Sequence, residues 1–343
     1  MRLNSTSRRL TGVVLALCVA LFAVPGLAAQ TVTIKVASIA PEKSPYGDAL
    51  NKLAKEWARI TNGKVKLVMF FSGVAGEEFD IVRKMRLGQL QGAMLSQMGL
   101  SFIDRRTNVL TAPYLLKNNE ELDYVLQGMI PEFDKMLLDK NFIPVAYSRA
   151  GWLRFFSKSD QIRTPAQMAV RKLGVSGTEK DFFEGFKKMK FNVVPVEVSE
   201  SLSALNTGLC DSTFSSPLLV GPLQWFGIAN HMLDLKISPF IGAIVIDEKA
   251  WKKIPEQYHA EMLKVAQDLA SKDMNAAIDK LENDAITTME KYGLIRVVPT
   301  TDEKKLWETE LAKALPLMAE SAFDKATLDK ARALLATYPG AKK

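Results

Sequence analysis

Two stretches of this sequence repeat the same alternation of strand-like and helix-like patterns. In the first, residues 32–39 read VTIKVASI, an alternating β-branched pattern that predicts a strand, and Ser44-Pro45 then marks a helix start. Strand patterns recur at 64–71 and 92–97, each after a helical stretch. This order predicts an α/β fold with a parallel sheet, in which ligands bind beyond the carboxyl ends of the strands.

The carboxyl ends of these three strands provide the first candidate ligand-binding residues. Glu78, which follows the second strand, is one of them. It also has a simpler interpretation than ligand binding, because an acidic side chain in the first turn of a helix complements the helix dipole. The candidates from this part of the chain are Pro41, Ser44, Ser72, Gly73, Glu78, Gln97 and Met98.

The second stretch begins near residue 150 and follows the same logic. Strand patterns at 172–177, 191–196 and 210–216 alternate with helical patterns at 179–190 and 199–207. Before them, residues 142–156 read as a strand that crosses from one unit to the other, and residues 242–251 read as a strand that returns. Two sheets joined by several crossings predict two domains with a cleft and a hinge between them.

The length of 343 residues also suits two domains better than one. We assign residues 30–150 with 238–277 to the first domain and 151–237 with 278–343 to the second. A helical pattern at about 256–292 contains neither proline nor glycine, which favours a single helix bridging both domains. Two helices with an unmarked break are the alternative.

The first 29 residues resemble a secretory signal peptide. Arg2, Arg8 and Arg9 precede an acid-free apolar run, and small residues at 28–29 offer a cleavage point. The run is shorter than the ~20 residues of a membrane-spanning helix, so we expect export to the periplasm with cleavage. A twin-arginine route is the less favoured form of export. Loss of these residues removes three arginines and lowers the net charge from +7 to +4.

Composition excludes several functions. The exported chain has no cluster of basic residues, so no nucleic-acid partner is expected. It has two histidines, too few for a multi-histidine metal site, and no nucleotide-binding or nucleophile-elbow motif, so no cofactor is expected. An enzyme that uses Cys210 with His231 is a remote alternative, because a lone cysteine is more often simply buried. These features indicate an exported α/β binding protein.

The order of several segments resembles the solute-binding proteins of TRAP (tripartite ATP-independent periplasmic) transporters. The resemblance covers nearly all of the exported chain. It implies two α/β domains that close on a small-molecule ligand, a long helix across both, and delivery of the ligand to TRAP membrane subunits rather than catalysis. The segments that carry it are 34–78, 85–95, TAPYLL at 111–116, IRTPAQM at 162–168, 194–212 and AIVIDEKAWKKIP at 243–255.

Three polar groups that the family uses to hold organic acids are altered in this chain. The family segment GLKIRV, whose arginine clamps the ligand carboxylate, aligns with KLGV so that Gly174 takes the arginine position. The family pattern G-x-R becomes Gly151-Trp152-Leu153, with Arg154 one place late. The family sequence DGQENP becomes DSTFSSP. Phe240 is a candidate as an aromatic residue that could equally belong to the core. The remaining candidates are Trp152, Arg154, Phe155, Gly174, Ser176, Phe214, Ser215 and Ser216.

These departures predict a largely apolar ligand, because a buried carboxylate without a partner costs several kcal/mol. The chain in this respect resembles the TRAP branch whose binding proteins lack the clamp and work with a helical-repeat (TPR) partner protein. An organic (di)carboxylate held by Arg154 is the alternative ligand. A non-transport interaction protein is a remote alternative function.

Overall fold

The computed structural model describes residues 31–158, 162–176, 180–318 and 322–342. The signal peptide predicted for residues 1–29 lies outside the described residues. Within these ranges, no helix combines the length and the apolar character needed to cross a membrane. The strands are β1 Val32–Ala37, β2 Val65–Phe70, β3 Gly92–Ser96, β4 Phe142–Ser157, β5 Lys172–Val175, β6 Asn192–Pro195, β7 Ser212–Ser215, β8 His231–Leu233, β9 Ser238–Asp247 and β10 Ile295–Val297.

Helices follow most of these strands, as in other α/β proteins. The first part of the chain contains α1 Pro45–Ile60, α2 Glu78–Arg86, α3 Gln97–Ile103 and α4 Asn119–Leu138. The middle contains α5 Pro165–Ala169, α6 Lys180–Lys188, α7 Ser201–Thr207, α8 Pro217–Val220 and α9 Glu248–Trp251. The last part contains α10 His259–Asp268, α11 Asn275–Lys291, α12 Thr301–Ala312, α13 Ala314–Met318 and α14 Lys325–Ala336. Short 3₁₀ helices occupy Arg105–Thr111, Val198–Glu200, Trp225–Gly227, Glu256–Tyr258 and Pro339–Lys342.

The described strands form one continuous sheet with two halves. The main path runs β2-β1-β3-β9-β4-β7-β5-β6, and β8 joins β4 and β10 at the side. Strand β1 is parallel to β2 and β3, and β5 is parallel to β6 and β7, as predicted. Strands β4 and β9 run antiparallel to their neighbours. The sequence predicts two sheets joined by crossings. The sixteen-residue strand β4 instead pairs with β9 in the first half and with β7 and β8 in the second, which makes the sheet continuous.

Helix α1 illustrates how local sequence determines the first half. The Ser44 side chain accepts a hydrogen bond from the backbone N–H of Gly47, which caps the helix where Pro45 begins it. Leu53 and Trp57 lie on the buried face, and the Trp57 indole N–H donates to the carbonyl of Met262 at 3.0 Å. This face therefore fixes α1 against both the sheet and helix α10.

A helical run continues from residue 256 to residue 291, close to the predicted bounds. It comprises a 3₁₀ turn, α10, a π-helical segment at Leu269–Met274, and α11. The first portion packs on α1 and the last portion on α8 and β4. The run thus contacts both halves of the sheet, and the absence of proline and glycine from residues 256–291 explains its continuity.

Buried polar contacts attach this long helix to strand β4. The Arg149 guanidinium bonds the carboxylates of Asp123 and Asp279, and the Arg149 backbone N–H donates to Asn275 Oδ1 at 2.8 Å. Arg149 lies just before a register shift in the β4–β9 pairing. The domain boundaries stay predictions. The contact between Arg149 of β4 and Asn275 of α11 lies next to two of them, at 150/151 and 277/278.

Candidate functional site

A cavity of about 510 Å³ lies between the two halves of the sheet. The segment that follows β1 and the end of β3 contribute one wall, and the ends of β5 and β7 contribute the opposite wall. Strands β4 and β9 and helix α11 line the remainder through Leu153, Phe240 and Leu281. The cavity therefore occupies the position expected for a ligand site in an α/β protein, beyond the carboxyl ends of parallel strands.

Most side chains that line this cavity are apolar. Apart from Glu78, the polar side chains of the described lining residues carry hydroxyl groups, and Glu78 is the one charged residue among them. No lysine, arginine or histidine of the described residues lines it. The apolar lining includes Ile39, Pro41, Met94, Leu95, Ala150, Leu153, Val196, Val198, Phe214, Leu218, Leu219, Pro222, Trp225, Phe240 and Leu281.

Glu78 lies buried at the base of the cavity and organises the protein around it. One carboxylate oxygen accepts from the Ser96 backbone N–H at 2.6 Å, and the other accepts from the Ser96 hydroxyl at 2.6 Å and the Gly99 N–H at 2.9 Å. Burial raises the pKa of this carboxyl above its usual value, although those hydrogen bonds oppose the shift. Glu78 thus holds the end of β3 and the start of α3 in place.

Tyr46 extends from α1 into the same cavity. Burial raises the pKa of its phenol well above the usual value, and the charge of Glu282 adds to the increase. The hydroxyl is therefore protonated at neutral pH. It makes no hydrogen bond with any residue that the structure describes, so it is available as a donor to a ligand.

Gly174 lines the cavity but cannot take a side chain without movement of a neighbour. A Cβ atom built on Gly174 would lie 3.1 Å from Cys210 Sγ and 3.4 Å from the carbonyl oxygen of Ser212. The distance to Cys210 Sγ is short for a Cβ contact, whereas the distance to the Ser212 oxygen is ordinary van der Waals contact. The Cys210 thiol therefore fills space beside Gly174 that a larger residue at this position would need.

Strand alternation explains why Arg154 lies outside the cavity. Leu153 faces the cavity, and the next residue in the strand, Arg154, therefore points to the opposite side. The Arg154 guanidinium donates to Glu282 Oε1 at 2.6 Å, and its Nε lies 3.9 Å from Asp234 Oδ1. Arg154 is buried in this ion pair, with 3% of its surface exposed. The structure therefore does not support the alternative in which Arg154 holds a ligand carboxylate in the cleft, because the strand directs this side chain away from the cavity.

Nine of the sixteen candidate residues line the cavity together. They come from both halves of the sheet, which the chain brings face to face. Their roles in ligand binding stay predictions. The nine are Pro41, Ser44, Glu78, Gly174, Ser176, Phe214, Ser215, Ser216 and Phe240.

The other seven candidates lie outside the lining, and their contacts give the reason. The Gln97 amide is turned toward Thr107 Oγ1, 3.3 Å away, and Met98 lies in the first turn of helix α3. The backbone N–H groups of Ser72 and Gly73 bond the carbonyls of Ala40 and Ser38, so they support the loop after β1 from behind.

The β4 candidates Trp152 and Phe155 also lie outside the cavity lining. Trp152 shares the face of Arg154, and its indole N–H donates to Asn119 Oδ1 at 2.7 Å. Phe155 packs behind the cavity wall, with its ring 5.0 Å from that of Phe214 and 5.3 Å from that of Trp307. Strand direction thus accounts for Trp152, whereas Phe155 shares the face of Leu153 and is covered by the neighbouring rings.

Several lining residues are absent from the sequence-based candidates. Tyr46 and Leu281 lie on helical stripes that predict core positions, and the helix pattern gives no sign that they face a cavity. Leu153 carries a usable signal, since it takes the position of the family arginine in the G-x-R pattern. Trp225 has no distinguishing sequence signal beyond being aromatic.

Cys210 does not have the properties of a nucleophile. The thiol is buried, and burial raises its pKa to about 11, with the charge of Asp211 adding to the increase. It is therefore a protonated thiol at neutral pH, whereas the reactive form is the thiolate.

The fold, the long helix and the cavity between two α/β halves define a solute-binding protein of the two-domain type. The family model for DctP, the bacterial extracellular solute-binding protein family 7, matches residues 36–321. The chain belongs to this family. It is a solute-binding protein rather than an enzyme, and the family is extracellular.

Similar proteins span most of the chain at low identity. The C4-dicarboxylate-binding periplasmic protein DctP of Rhodobacter capsulatus is 26% identical over 329 residues, with 92% of this chain and 95% of the relative covered. The structure resembles a TRAP periplasmic solute-binding protein of Chromohalobacter salexigens with bound D-glucuronate, with a TM-score of 0.78, 19% identity, and 89% and 99% of the two chains covered. A TRAP binding protein of Sulfurospirillum deleyianum with bound succinate has a TM-score of 0.75, 19% identity, and 89% and 99% coverage.

Proposed function

We propose that this chain is the extracytoplasmic solute-binding subunit of a TRAP-type secondary transporter. It captures a small molecule in the cavity between its two halves and delivers it to the membrane subunits. Family membership and the likeness to TRAP binding proteins support this role. We also propose that residues 1–29 direct export to the periplasm and are removed near residues 28–29. The mass of the protein isolated from periplasm tests the cleavage.

The ligand that the cavity fits best is a largely apolar, uncharged molecule. The observation that carries this proposal is the lining, which is mostly apolar and contains no cation among the described residues. A carboxylate buried there would lose its hydration without gaining an ion pair, at a cost of several kcal/mol. The free donor of Tyr46 adds a requirement for one hydrogen-bond acceptor on the ligand, such as a carbonyl or ether oxygen.

Exposed apolar side chains at the mouth of the cavity support the same ligand class. Ile39 from the first half is 42% exposed, and Val198 from the second half is 43% exposed. Leu281 on the long helix is 38% exposed. Closure of the two halves on a bound molecule would remove these apolar surfaces from water, which favours the closed state at about 25 cal/mol per Å² buried.

An organic acid is the second candidate ligand, and the relatives favour it. The Rhodobacter capsulatus relative is named for C4-dicarboxylates, and the similar structures hold D-glucuronate and succinate. Such a ligand would have to bind without Arg154, which is occupied by Glu282 on the other face of β4.

Native mass spectrometry of the purified protein, followed by extraction of any co-purifying molecule, separates the two ligand classes. Calorimetric titration with succinate, D-glucuronate and a set of uncharged ketones and lactones then ranks them. We expect saturable binding of an uncharged compound and weaker binding in Tyr46→Phe, with Tyr292→Phe as the exposed control. Tight succinate or glucuronate binding in the natural protein would overturn the apolar-ligand proposal and leave the transport role intact.

We extend the proposal to a helical-repeat (TPR) partner protein, because the chain lacks the arginine clamp at Gly174. Co-purification of the exported protein from its native membrane fraction tests this partner separately. Recovery of the TRAP membrane subunits alone would contradict it.

A further inference from the structure

A second hollow, of about 500 Å³, lies on the side of β4 to which Arg154 points. It forms where the loop after the 3₁₀ helix at Arg105–Thr111, the segment between β8 and β9, helix α11, strand β10 and helix α12 meet. Five cationic side chains line it, whereas the ligand cavity has none among the described residues. They are Lys117, Arg154, Lys236, Arg296 and Lys304.

Direct ion pairs with acids engage three of these five cations. Asp234 lines it and binds Arg296 at 2.7 Å, and Glu282 binds Arg154 at 2.6 Å. Outside the lining, Glu308 binds Lys117 at 2.5 Å, while Asp279 and Glu120 act on Lys236 from farther away. Lys236 and Lys304 form no ion pair with any acid of the described ranges.

The deepest cation of the hollow has an unused donor. Arg154 is 3% exposed, and its Nε–H has no hydrogen-bond acceptor within the described part of the chain. The nearest acid oxygen, Asp234 Oδ1, lies 3.9 Å away, beyond hydrogen-bond distance. Buried donors in proteins are normally paired, so this one points to an acceptor supplied by a bound molecule.

Lys236 reinforces this interpretation from the neighbouring loop. Its ammonium lies 5.1 Å from the centre of the Trp152 ring, a cation–π contact that holds it next to Arg154. Burial lowers the pKa of Lys236, and the charge of Arg154 lowers it further. A bound anion would offset both effects.

We propose that this second hollow binds a small oxyanion, such as phosphate, sulfate or a carboxylate. The oxyanion accepts from Arg154 Nε and from the ammonium groups of Lys236 and Lys304, which approach from three different elements. This site is separate from the ligand cavity, because β4 lies between them and its alternate side chains serve the two sites.

Titration calorimetry at neutral pH tests the site, with sodium phosphate, sodium sulfate and sodium acetate as probes at constant ionic strength set by sodium chloride. We expect one saturable site for at least one probe. Lys236→Gln should weaken binding by about 10-fold or more, since a charge-assisted hydrogen bond is lost. Lys304→Gln should weaken binding by about 3-fold, because the Lys304 side chain is more exposed than that of Lys236. Comparison of the three probes identifies the preferred oxyanion.

Lys305→Gln is the matched control, since Lys305 is the exposed neighbour of Lys304 on the same helix and does not line the hollow. It should leave the dissociation constant within about 2-fold. The absence of saturable binding for all three probes would overturn the proposal. Equal weakening by Lys305→Gln, or no effect of Lys236→Gln, would also overturn it. Crystals soaked in selenate should show anomalous density in this hollow.

Discussion

At the scale of single residues, Gly174 and its neighbour Cys210 leave one wall of the ligand cavity without a charged side chain. The sequence alone marks Gly174 as the missing arginine of a carboxylate clamp. The structure adds that the neighbouring thiol occupies the space the glycine leaves, at 3.1 Å from the Cβ that a larger residue would carry. The backbone at Gly174 does not have a positive φ, so packing rather than strain limits this position.

Gly174→Arg combined with Cys210→Ala should create affinity for small dicarboxylates. The alanine removes the thiol that crowds residue 174, and the guanidinium supplies the missing bidentate partner. We expect the double variant to bind succinate at least about 10-fold more tightly than Cys210→Ala alone, measured by calorimetry. Gly174→Arg alone should be less stable than the double variant. A folded double variant with no gain in acid affinity would contradict the alignment of Gly174 with the clamp arginine.

Glu78 should make the protein less stable as pH rises. Its folded-state pKa is raised by burial, so the native protein retains a proton that the unfolded chain has already released above pH ~4.3. Relative to Glu78→Gln, the free energy of unfolding of the natural protein should therefore fall between this pH and the native pKa. The slope is at most about 1.4 kcal/mol per pH unit.

Urea unfolding from pH 4.5 to 7 measures this difference. Glu77→Gln is the control, because Glu77 is the exposed preceding residue. Its unfolding curves should run parallel to those of the natural protein over the same range. If the unfolding free energy of Glu78→Gln also follows that of the natural protein, the Glu78 carboxyl of the natural protein does not have a raised pKa, and the prediction is wrong.

The long helix and strand β4 are the elements that join the two halves. Arg154 and Glu282 connect them through an ion pair whose two side chains are 4% and 7% exposed. Glu282 also accepts from the Trp152 backbone N–H at 3.1 Å. Since a buried ion pair is strongly destabilising when one partner is removed, this contact makes the position of the helix on the strand specific.

Arg154→Met should lower the free energy of unfolding by about 3 to 5 kcal/mol, because it leaves the Glu282 carboxylate buried without its partner. Arg154→Met with Glu282→Gln should recover most of that loss, since the amide oxygen can still accept from Trp152. Lys280→Met, which removes an exposed pair with Asp284 on the same helix, should change stability by less than about 1 kcal/mol. Denaturant unfolding measures all three. Additive losses in the double variant would show that the pair is not coupled.

At the scale of the whole molecule, the two halves of the sheet meet where β4 changes register against β9. Gly151 lies within this shift and has a φ of +98°, which residues with a side chain rarely adopt. A Cβ there would lie 3.2 Å from Leu218 Cδ1 of the second half. The junction therefore depends on a glycine that is also part of the altered G-x-R pattern.

Gly151→Ala should reduce the free energy of unfolding by more than Gly208→Ala does. Both glycines have positive φ, so each substitution costs roughly 1 to 2 kcal/mol of backbone strain. Gly208 has open space around it, whereas Gly151 adds the contact with Leu218. Equal losses, measured by thermal or denaturant unfolding, would show that the junction tolerates the side chain.

The sequence by itself determined the fold class, the order and approximate bounds of the strands and helices, and the family. Periodicity and caps such as Ser44-Pro45 are local, so they can be identified without the tertiary structure. The sequence also identified nine residues that line the cavity. Three came from the expectation that the carboxyl ends of parallel strands meet at one edge, and six were named after the comparison with the family segments.

Only the tertiary structure decided which face of β4 each residue occupies. One step along a strand reverses the direction of a side chain, so Leu153 lines the apolar cavity and Arg154 lies in the cationic hollow behind it. The pairing of Cys210 with Gly174 and of Glu282 with Arg154 also required the fold, because these partners are distant in sequence and their contact depends on packing between elements.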